Sequence, residues 1–264
     1  MASSGPYGPG VLTVDALLLG ATAAFVVGLS KTGLPGGALI AIPMFAAVFD
    51  GRLITGATLP VLLVADLFAI AWYRQHTRWD VLRALAPWLA AGYVLGMAFF
   101  VAIGAADGVL ETTIGVIVLV IVALQVWRMW RGRPDRAGAT SGGTSAAPYG
   151  TIGGFTTFVA NAAGPVINTY LIRSDLPKHE MVGTSAWLYF VVNVSKIPFY
   201  LALAAWSAGG PFFTAESLLF DLAVVPAIVA GVFAGRALFH RIPQRTFTIV
   251  VLVLSAAGAL ELVV

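Results

Sequence analysis

The chain has 264 residues, of which 59% are hydrophobic and only 10% are charged. A soluble domain carries about 25% charged residues, so this composition predicts a protein that crosses a membrane several times as helices. The net charge of +3 comes without a basic patch interleaved with aromatic residues, which excludes nucleic acid as a partner.

The composition excludes thiol chemistry, and the placement of the histidines argues against a metal site. Cysteine is absent, so the chain has no disulfide framework, thiolate metal site or cysteine nucleophile. The three histidines, His76, His179 and His240, lie at the ends of predicted segments or in loops. None has a carboxylate or a second histidine at ligand spacing within a span, so we expect no metal site and no cofactor.

The first half of the chain predicts one short and four long apolar segments. The run over 11–29 is long enough to span the membrane, and no small-residue cleavage pattern follows it closely, so we expect a membrane segment and not a signal peptide. A short apolar piece follows at 36–49. Full spans are predicted at 54–73, 81–103 and 109–127.

A polar stretch over 128–148, rich in Arg, Gly, Ser, Thr and Pro, predicts a disordered linker. The second half then repeats the pattern of the first. Its segments are a short pair at 149–160 and 163–172 and full spans at 182–206, 215–238 and 247–264. We therefore predict a first repeat over 1–127 with a hairpin at 11–49, a cytoplasmic linker, and a second repeat over 149–264 with a hairpin at 149–172.

Basic residues in short loops predict which side of the membrane each loop faces. The cytoplasmic loops are expected to be those that carry Arg74, Arg78 and Arg83, the linker, Arg173 and Lys178, and Arg236, Arg241 and Arg245. The connections 104–108 and 207–214 carry no Lys or Arg and are expected outside. The two halves are then inserted upside down relative to each other, with both termini outside the cytoplasm.

A weak internal similarity supports such an inverted repeat. Gly56-Ala57-Thr58 corresponds to Gly183-Thr184-Ser185, and Asp66 corresponds to Asn193. After a shift in register, Gly92 and Gly96 correspond to Gly231 and Gly235, and pairs of small residues at this spacing let helices pack closely. The predicted fold class is an all-α polytopic membrane protein of two inverted-topology repeats, each an interrupted helical hairpin plus three transmembrane helices.

Two apolar segments are interrupted at matching positions in the two halves. The first interruption is GLSKTGLPGG over 28–37, and the second is GGFTTFVANAAGP over 153–165. A broken helix at membrane depth persists only where protein or a water-filled cavity surrounds it. A pair of such segments in corresponding positions predicts the binding site of a transporter.

These motifs resemble the TauE/SafE family, also called the sulfite exporter or toluenesulfonate uptake permease family. The resemblance rests on the glycine-rich motif over 28–37 followed by Pro43, and on Gly56-Ala57-Thr58 and Gly183-Thr184-Ser185. It covers nearly the whole chain except the linker, although the second break has fewer glycines than many members have. The resemblance implies transport of sulfite, sulfonates or related sulfur-containing anions across the bacterial plasma membrane.

In the first half, Lys31 and the start of the following half-helix at Gly36 and Gly37 predict an anion site. An ammonium group and the free N–H groups of a helix N-terminus both attract anions. Ser30 and Thr32 would donate hydrogen bonds to the same anion. The alternative is that Lys31 snorkels to the outer interface from the end of the first span.

In the second half, Thr156, Thr157 and Asn161 are the matching candidates. Another half-helix, starting near Ala163 and containing Gly164, would again point free N–H groups at the anion. Asparagine offers both a donor and an acceptor. The alternative for Asn161 is an internal cap for the broken helix, and the two roles are compatible.

Charged residues deep in full spans complete the candidate site. Asp66 and Lys196 would each be costly against lipid. Either they form a structural ion pair between the halves, or Lys196 binds the anion while Asp66 takes up or releases a proton. Asn193, one turn before Lys196, lies on the same helix face. Asp221 and Arg236 are nearer to the span ends and are expected to be interface anchors.

These patterns predict a secondary transporter that moves a small anion by alternating access around a midplane site between the two repeats, and the resemblance implies that this anion contains sulfur. The expected partners are the small anion, a coupling H⁺ or Na⁺, and membrane lipids; the oligomeric state is not predicted. A P-loop is absent, which argues against direct coupling to ATP. The alternatives are a passive anion channel and, with less support, an intramembrane enzyme, since Asp66 is the only acid deep in a span and has no histidine beside it.

Overall fold

The computed structural model describes residues 11–32, 38–131, 145–174, 176–207 and 209–238, and several isolated positions between 249 and 263. These residues are predominantly helical and include no β-strand. The helices described there are α1 (Val14–Thr32), α2 (Ala38–Ala46), α3 (Arg52–Tyr73), α4 (Trp79–Ile103), α5 (Asp107–Trp130), α6 (Ala146–Ala160), α7 (Gly164–Arg173), α8 (Lys178–Trp206) and α9 (Ala215–Leu238). A short 3₁₀ turn at Arg74–His76 joins α3 to α4.

Six of the described helices are long and apolar enough to cross a membrane: α1, α3, α4, α5, α8 and α9. The predicted all-α, multi-pass fold is therefore confirmed. The short pieces also fall where the sequence predicts them, because α2 and α7 have only nine and ten residues, about half the length of a span. Most of the predicted linker and of the predicted last span at 247–264 lies outside the described residues.

Glycines bring α1 of the first half into backbone contact with α9 of the second, which is the most extensive helix pairing in the described fold. A methyl group on Gly28 would collide with the carbonyl oxygen of Ile228 on α9. One on Gly231 of α9 would collide with the carbonyl oxygen of Phe25 on α1. Without side chains at these points, the two backbones approach closely and gain dispersion contacts that lipid cannot supply.

A second pairing of the same kind joins α4 of the first half to α6, the first helix of the second half. Gly92 lies against the carbonyl oxygen of Thr151, and Gly154 lies against that of Leu89. Gly92 and Gly231, which the sequence matches to each other, therefore each face the first helix of the other half.

The connections between helices also pack against the opposite half. The connection after α8 covers the start of α3, where Gly56 lies against the carbonyl of Phe212. The connection after α3 covers the start of α8, where Gly183 lies against the carbonyl of Tyr73 and accepts a hydrogen bond from the Thr77 hydroxyl (3.2 Å). These reciprocal contacts support the inverted repeat, which stays a prediction.

Candidate functional site

A cavity of about 100 Å³ lies where α1, α3, α6, α7 and α8 meet. This volume holds several water molecules or one small anion. The predicted site residues that line it are Ser30, Lys31, Thr32, Asp66, Thr157, Asn161, Gly164 and Asn193. Lys196 does not line the cavity, but it donates a hydrogen bond to Asn161, which does. The predicted Gly36 and Gly37 lie outside the described residues.

A buried ion pair forms one wall of the cavity. The Lys31 Nζ atom lies 2.6 Å from Asp66 Oδ1, and the Asp66 side chain is fully buried while that of Lys31 is 11% exposed. Asn193 donates a hydrogen bond to the other carboxylate oxygen at 2.7 Å. Lys31 is in the last turn of α1, where the negative end of the helix dipole also favours an ammonium group. The lysine is therefore held by a carboxylate and does not snorkel.

Asp66 does not form the ion pair with Lys196 that the sequence suggested as one alternative. Its ion-pair partner is Lys31 of the same half, whereas Lys196 donates to the Thr157 carbonyl at 3.1 Å and to Asn161 Oδ1 at 2.5 Å. Two lysines and one aspartate leave the cluster with a formal charge of +1. That balance suits an anionic ligand.

Asn161 ends α6 and adopts a left-handed conformation with φ 54° and ψ 25°. Asparagine is one of the few residues that tolerate this conformation, and its N–H returns to the Thr157 carbonyl at 3.1 Å. Asn161 is thus the C-cap of α6, through its backbone N–H. Its side chain also donates to the Thr55 carbonyl on α3 at 2.9 Å, so the residue joins the break to both α3 and α8.

The last turn of α6 exposes carbonyls that lipid could not satisfy, and side chains from other helices bind them. Tyr200 donates to the Phe158 carbonyl (2.5 Å) and Thr55 donates to the Val159 carbonyl (2.8 Å). Lys196 binds the carbonyl one residue earlier, that of Thr157. These contacts stabilise a helix that ends inside the membrane.

Both interruptions are shorter than the sequence motifs suggest. The chain stays helical through Thr32 in the first motif and through Ala160 in the second, so only 161–163 leave the helix between α6 and α7. The glycines at the start of both motifs are therefore part of the helices. The physical reason is that Gly28 and Gly154 serve close packing against α9 and α4 and do not break their helices.

Ser30 and Thr32 each have a structural partner as well as a place on the cavity wall. The Ser30 Oγ atom accepts a hydrogen bond from the N–H of Ala38 at 3.0 Å and so caps the start of α2. The O–H of Ser30 remains available to donate. Thr32 donates to the Val232 carbonyl on α9 at 2.8 Å. Of the two hydroxyls, that of Ser30 is better placed to bind a ligand.

Tyr189 and Asn168 line the cavity and were missed from the sequence. The ring centroid of Tyr189 lies 4.2 Å from Lys31 Nζ, a cation–π contact, and its hydroxyl donates to Asn168 Oδ1 at 3.3 Å. Helical spacing could have identified Tyr189 from the sequence. It lies four residues before Asn193 and four after Ser185, and residues four apart share one face of a helix. All three line the cavity.

Among the described residues, the lining of the cavity extends toward the end of the bundle where α8 begins. It runs from Asp66 and Asn193 as far as Met181, in the first turn of α8. That end adjoins the connection between α3 and α4, where Arg78 forms exposed ion pairs with Asp80 (2.7 Å) and Glu180 (3.0 Å). Exposed pairs of this kind contribute little stability.

The opposite end is closed around Arg52, the first residue of α3, which is 2% exposed. Its guanidinium donates to the carbonyls of Phe100 (3.2 Å) and Gly104 (3.1 Å) in the first half. It also donates to the Ser207 hydroxyl (2.6 Å) and lies over the ring of Phe212 (5.3 Å) in the second half. About 21 Å of helix, at 1.5 Å per residue, separates this closure from Asp66.

The burial of Asp221 contradicts its predicted role as an interface anchor. This residue is only 5% exposed, and neither carboxylate oxygen has a hydrogen-bond partner among the described residues. Arg236, predicted in the same way, lies with its guanidinium 4.5 Å from the ring centroid of Trp72. Within the described parts of the chain there is no cluster of three metal-ligand side chains.

Comparison with known proteins identifies a family. The family model described as Sulfite exporter TauE/SafE matches residues 17–262, nearly the whole chain and both interrupted segments. No curated protein and no solved structure matches the chain. The matched family is one of transporters and not of enzymes.

Proposed function

Since the chain belongs to the sulfite exporter TauE/SafE family, we propose that it is a secondary transporter for a small sulfur-containing anion such as sulfite or a sulfonate. Family membership and the six candidate spans make it a multi-pass membrane protein. We place it in the bacterial plasma membrane, in contact with lipid along the outer faces of its spans.

The observation that carries the proposal is the Lys31–Asp66 pair on the wall of a cavity beside the break in the second half. An anion there finds the Lys31 ammonium, the Ser30 hydroxyl and the start of α7 at Gly164, where the first N–H groups of the helix have no partner within the helix. Buried ionisable groups within membrane spans are costly and mark transport sites. Lys196 supports the site through Asn161.

Binding is coupled to a proton through Asp66. An anion that approaches Lys31 competes with the carboxylate that already holds it. If Lys31 turns to the anion, Asp66 is left fully buried without its cation, which costs about 3–5 kcal/mol for a buried pair. Uptake of a proton by Asp66 removes that cost, so a proton enters the site with each anion and leaves with it.

The two halves move by alternating access as inverted repeats, residues 1–127 and 149–264, joined by the cytoplasmic linker at 128–148. The reciprocal glycine contacts of α1 with α9 and of α4 with α6 support this division. The cavity extends to the end that carries Arg78, predicted to be cytoplasmic from its basic residues, and is closed at Arg52. We therefore assign this state as inward-facing, and we place both termini outside the cytoplasm.

Flux measurements with purified protein in lipid vesicles test the proposal. Thermal-shift measurements with sulfite, thiosulfate, sulfate and small sulfonates first identify a ligand, because a ligand stabilises the state that it binds. A carrier then shows saturable uptake and counterflow of that labelled anion. Uptake that never saturates, with ohmic current, would establish a channel instead. The Arg78→Gln variant, which removes only the two exposed ion pairs with Asp80 and Glu180, is the control.

A further inference from the structure

Lys196 occupies the place where a discontinuous transporter helix would hold a coupling cation. It is fully buried, and its Nζ atom is bound by the carbonyl of Thr157 and by Oδ1 of Asn161. Both oxygens belong to the C-terminal end of α6, which carries the negative end of the helix dipole. In transporters with broken helices, such ends and the adjacent carbonyls coordinate Na⁺.

Three further acceptors near this end are also occupied. The next two carbonyls of α6, those of Phe158 and Val159, accept hydrogen bonds from Tyr200 and Thr55. The nearby carboxylate of Asp66 is paired with Lys31. A Na⁺ ion at this position would therefore have to displace an ammonium group or share a buried site with it, and like charges at such distances repel strongly.

We infer that Lys196 is a tethered cation that replaces Na⁺, and that the transporter needs no Na⁺. The inference rests on the proposed function and specifies its coupling ion, which the sequence alone leaves as H⁺ or Na⁺. Lys196 is then a positioning residue: it holds the end of α6 and the Asn161 side chain in the geometry that lines the cavity, and it does not itself contact the anion.

Two substitutions separate the charge of Lys196 from its volume. Lys196→Ala removes the ammonium and leaves a gap that faces the Thr157 carbonyl and Asn161 Oδ1, so Na⁺ can enter. Lys196→Met removes the charge but keeps most of the volume, so the gap stays filled. Lys196→Ala is expected to acquire a Na⁺ response that neither the native chain nor Lys196→Met shows.

Thermal unfolding of the full chain in detergent, with NaCl compared with choline chloride, gives the readout. The native midpoint is expected to be the same in both salts, while that of Lys196→Ala rises with the logarithm of the Na⁺ concentration. Stabilisation of the native chain by Na⁺ overturns the inference, and so does an equal Na⁺ response in Lys196→Met or no response in a folded Lys196→Ala. If Lys196→Ala does not fold, the native chain decides.

Transport in vesicles keeps this test distinct from that of the proposed function. Replacement of external Na⁺ by choline is expected to leave the initial uptake rate of the native protein unchanged. A rate that falls in choline contradicts the tethered cation but leaves anion transport established. Absence of anion uptake in both salts contradicts the proposed function, while the unfolding measurement still decides whether Na⁺ binds.

Discussion

Lys31 and Asp66 form an ion pair of 2.6 Å between the last turn of α1 and the middle of α3. The lysine belongs to the first interrupted segment, and the aspartate lies in a full span. The pair thus connects the end of a broken helix to a helix that crosses the membrane. Under the proposed function, an anion that binds Lys31 disturbs this contact, so we expect binding to be linked to protonation of Asp66.

Removal of the lysine alone is expected to damage both binding and stability. Lys31→Ala leaves the buried Asp66 carboxylate without its cation, so the free energy of unfolding should fall by about 3–5 kcal/mol, and anion binding should be lost. In the double variant Lys31→Ala/Asp66→Asn, stability should recover because the carboxylate that lost its cation is also removed, while binding stays absent. Thermal unfolding with and without the anion checks both; anion binding of native affinity in Lys31→Ala would remove it from the site.

Two glycines on either side of the second break are expected to respond differently to the same added methyl group. Gly164→Ala meets nothing closer than the Tyr189 hydroxyl at 3.9 Å, so the protein should fold normally and bind the anion more weakly, since the methyl enters the cavity. Gly154→Ala meets the Leu89 carbonyl and the Gly92 Cα and should lower stability by about 1–3 kcal/mol, the usual range for overpacking. Equal stability of the two variants would contradict this distinction.

The helices were predictable from the sequence because the lipid core requires long apolar runs. The predicted bounds of α9 are those observed, and α3 begins two residues before its predicted start. The role of the glycines was not predictable in the same way. Gly28 and Gly154 satisfy the pattern of a helix break and that of close helix packing, and only the position of the neighbouring backbone distinguishes the two.

The candidate residues were largely predictable, but their pairing was not. Polar and charged residues at membrane depth are conspicuous in sequence, so Lys31, Asp66, Asn161 and Lys196 were all identified. Which lysine pairs with Asp66 depends on how α1 and α8 pack against α3, and no spacing along one helix contains that information. Asp221 was misjudged because its position near a span end says nothing about which neighbour covers it.

The closed end of the cavity gives a prediction about access. Because the chain has no cysteine, a single cysteine at Thr58, on α3 between Arg52 and Asp66, can report whether reagents enter from that side. Arg52→Gln removes hydrogen bonds that join the two halves and should increase labelling of Thr58→Cys by an impermeant thiol reagent added outside. Arg78→Gln, at the other end, should leave it unchanged. Labelling that is the same in all three backgrounds would show that Arg52 does not hold this end closed.

The exchange of Lys31 between Asp66 and the anion is tested most directly by the number of protons that accompany each anion into vesicles. Simultaneous measurement of labelled anion and internal pH should show one proton entering with each monoanion, without net charge movement, and Asp66→Asn should bind the anion but no longer respond to a pH gradient. Native protein that moves the anion without protons, or Asp66→Asn that still concentrates it in response to a pH gradient, would contradict the account.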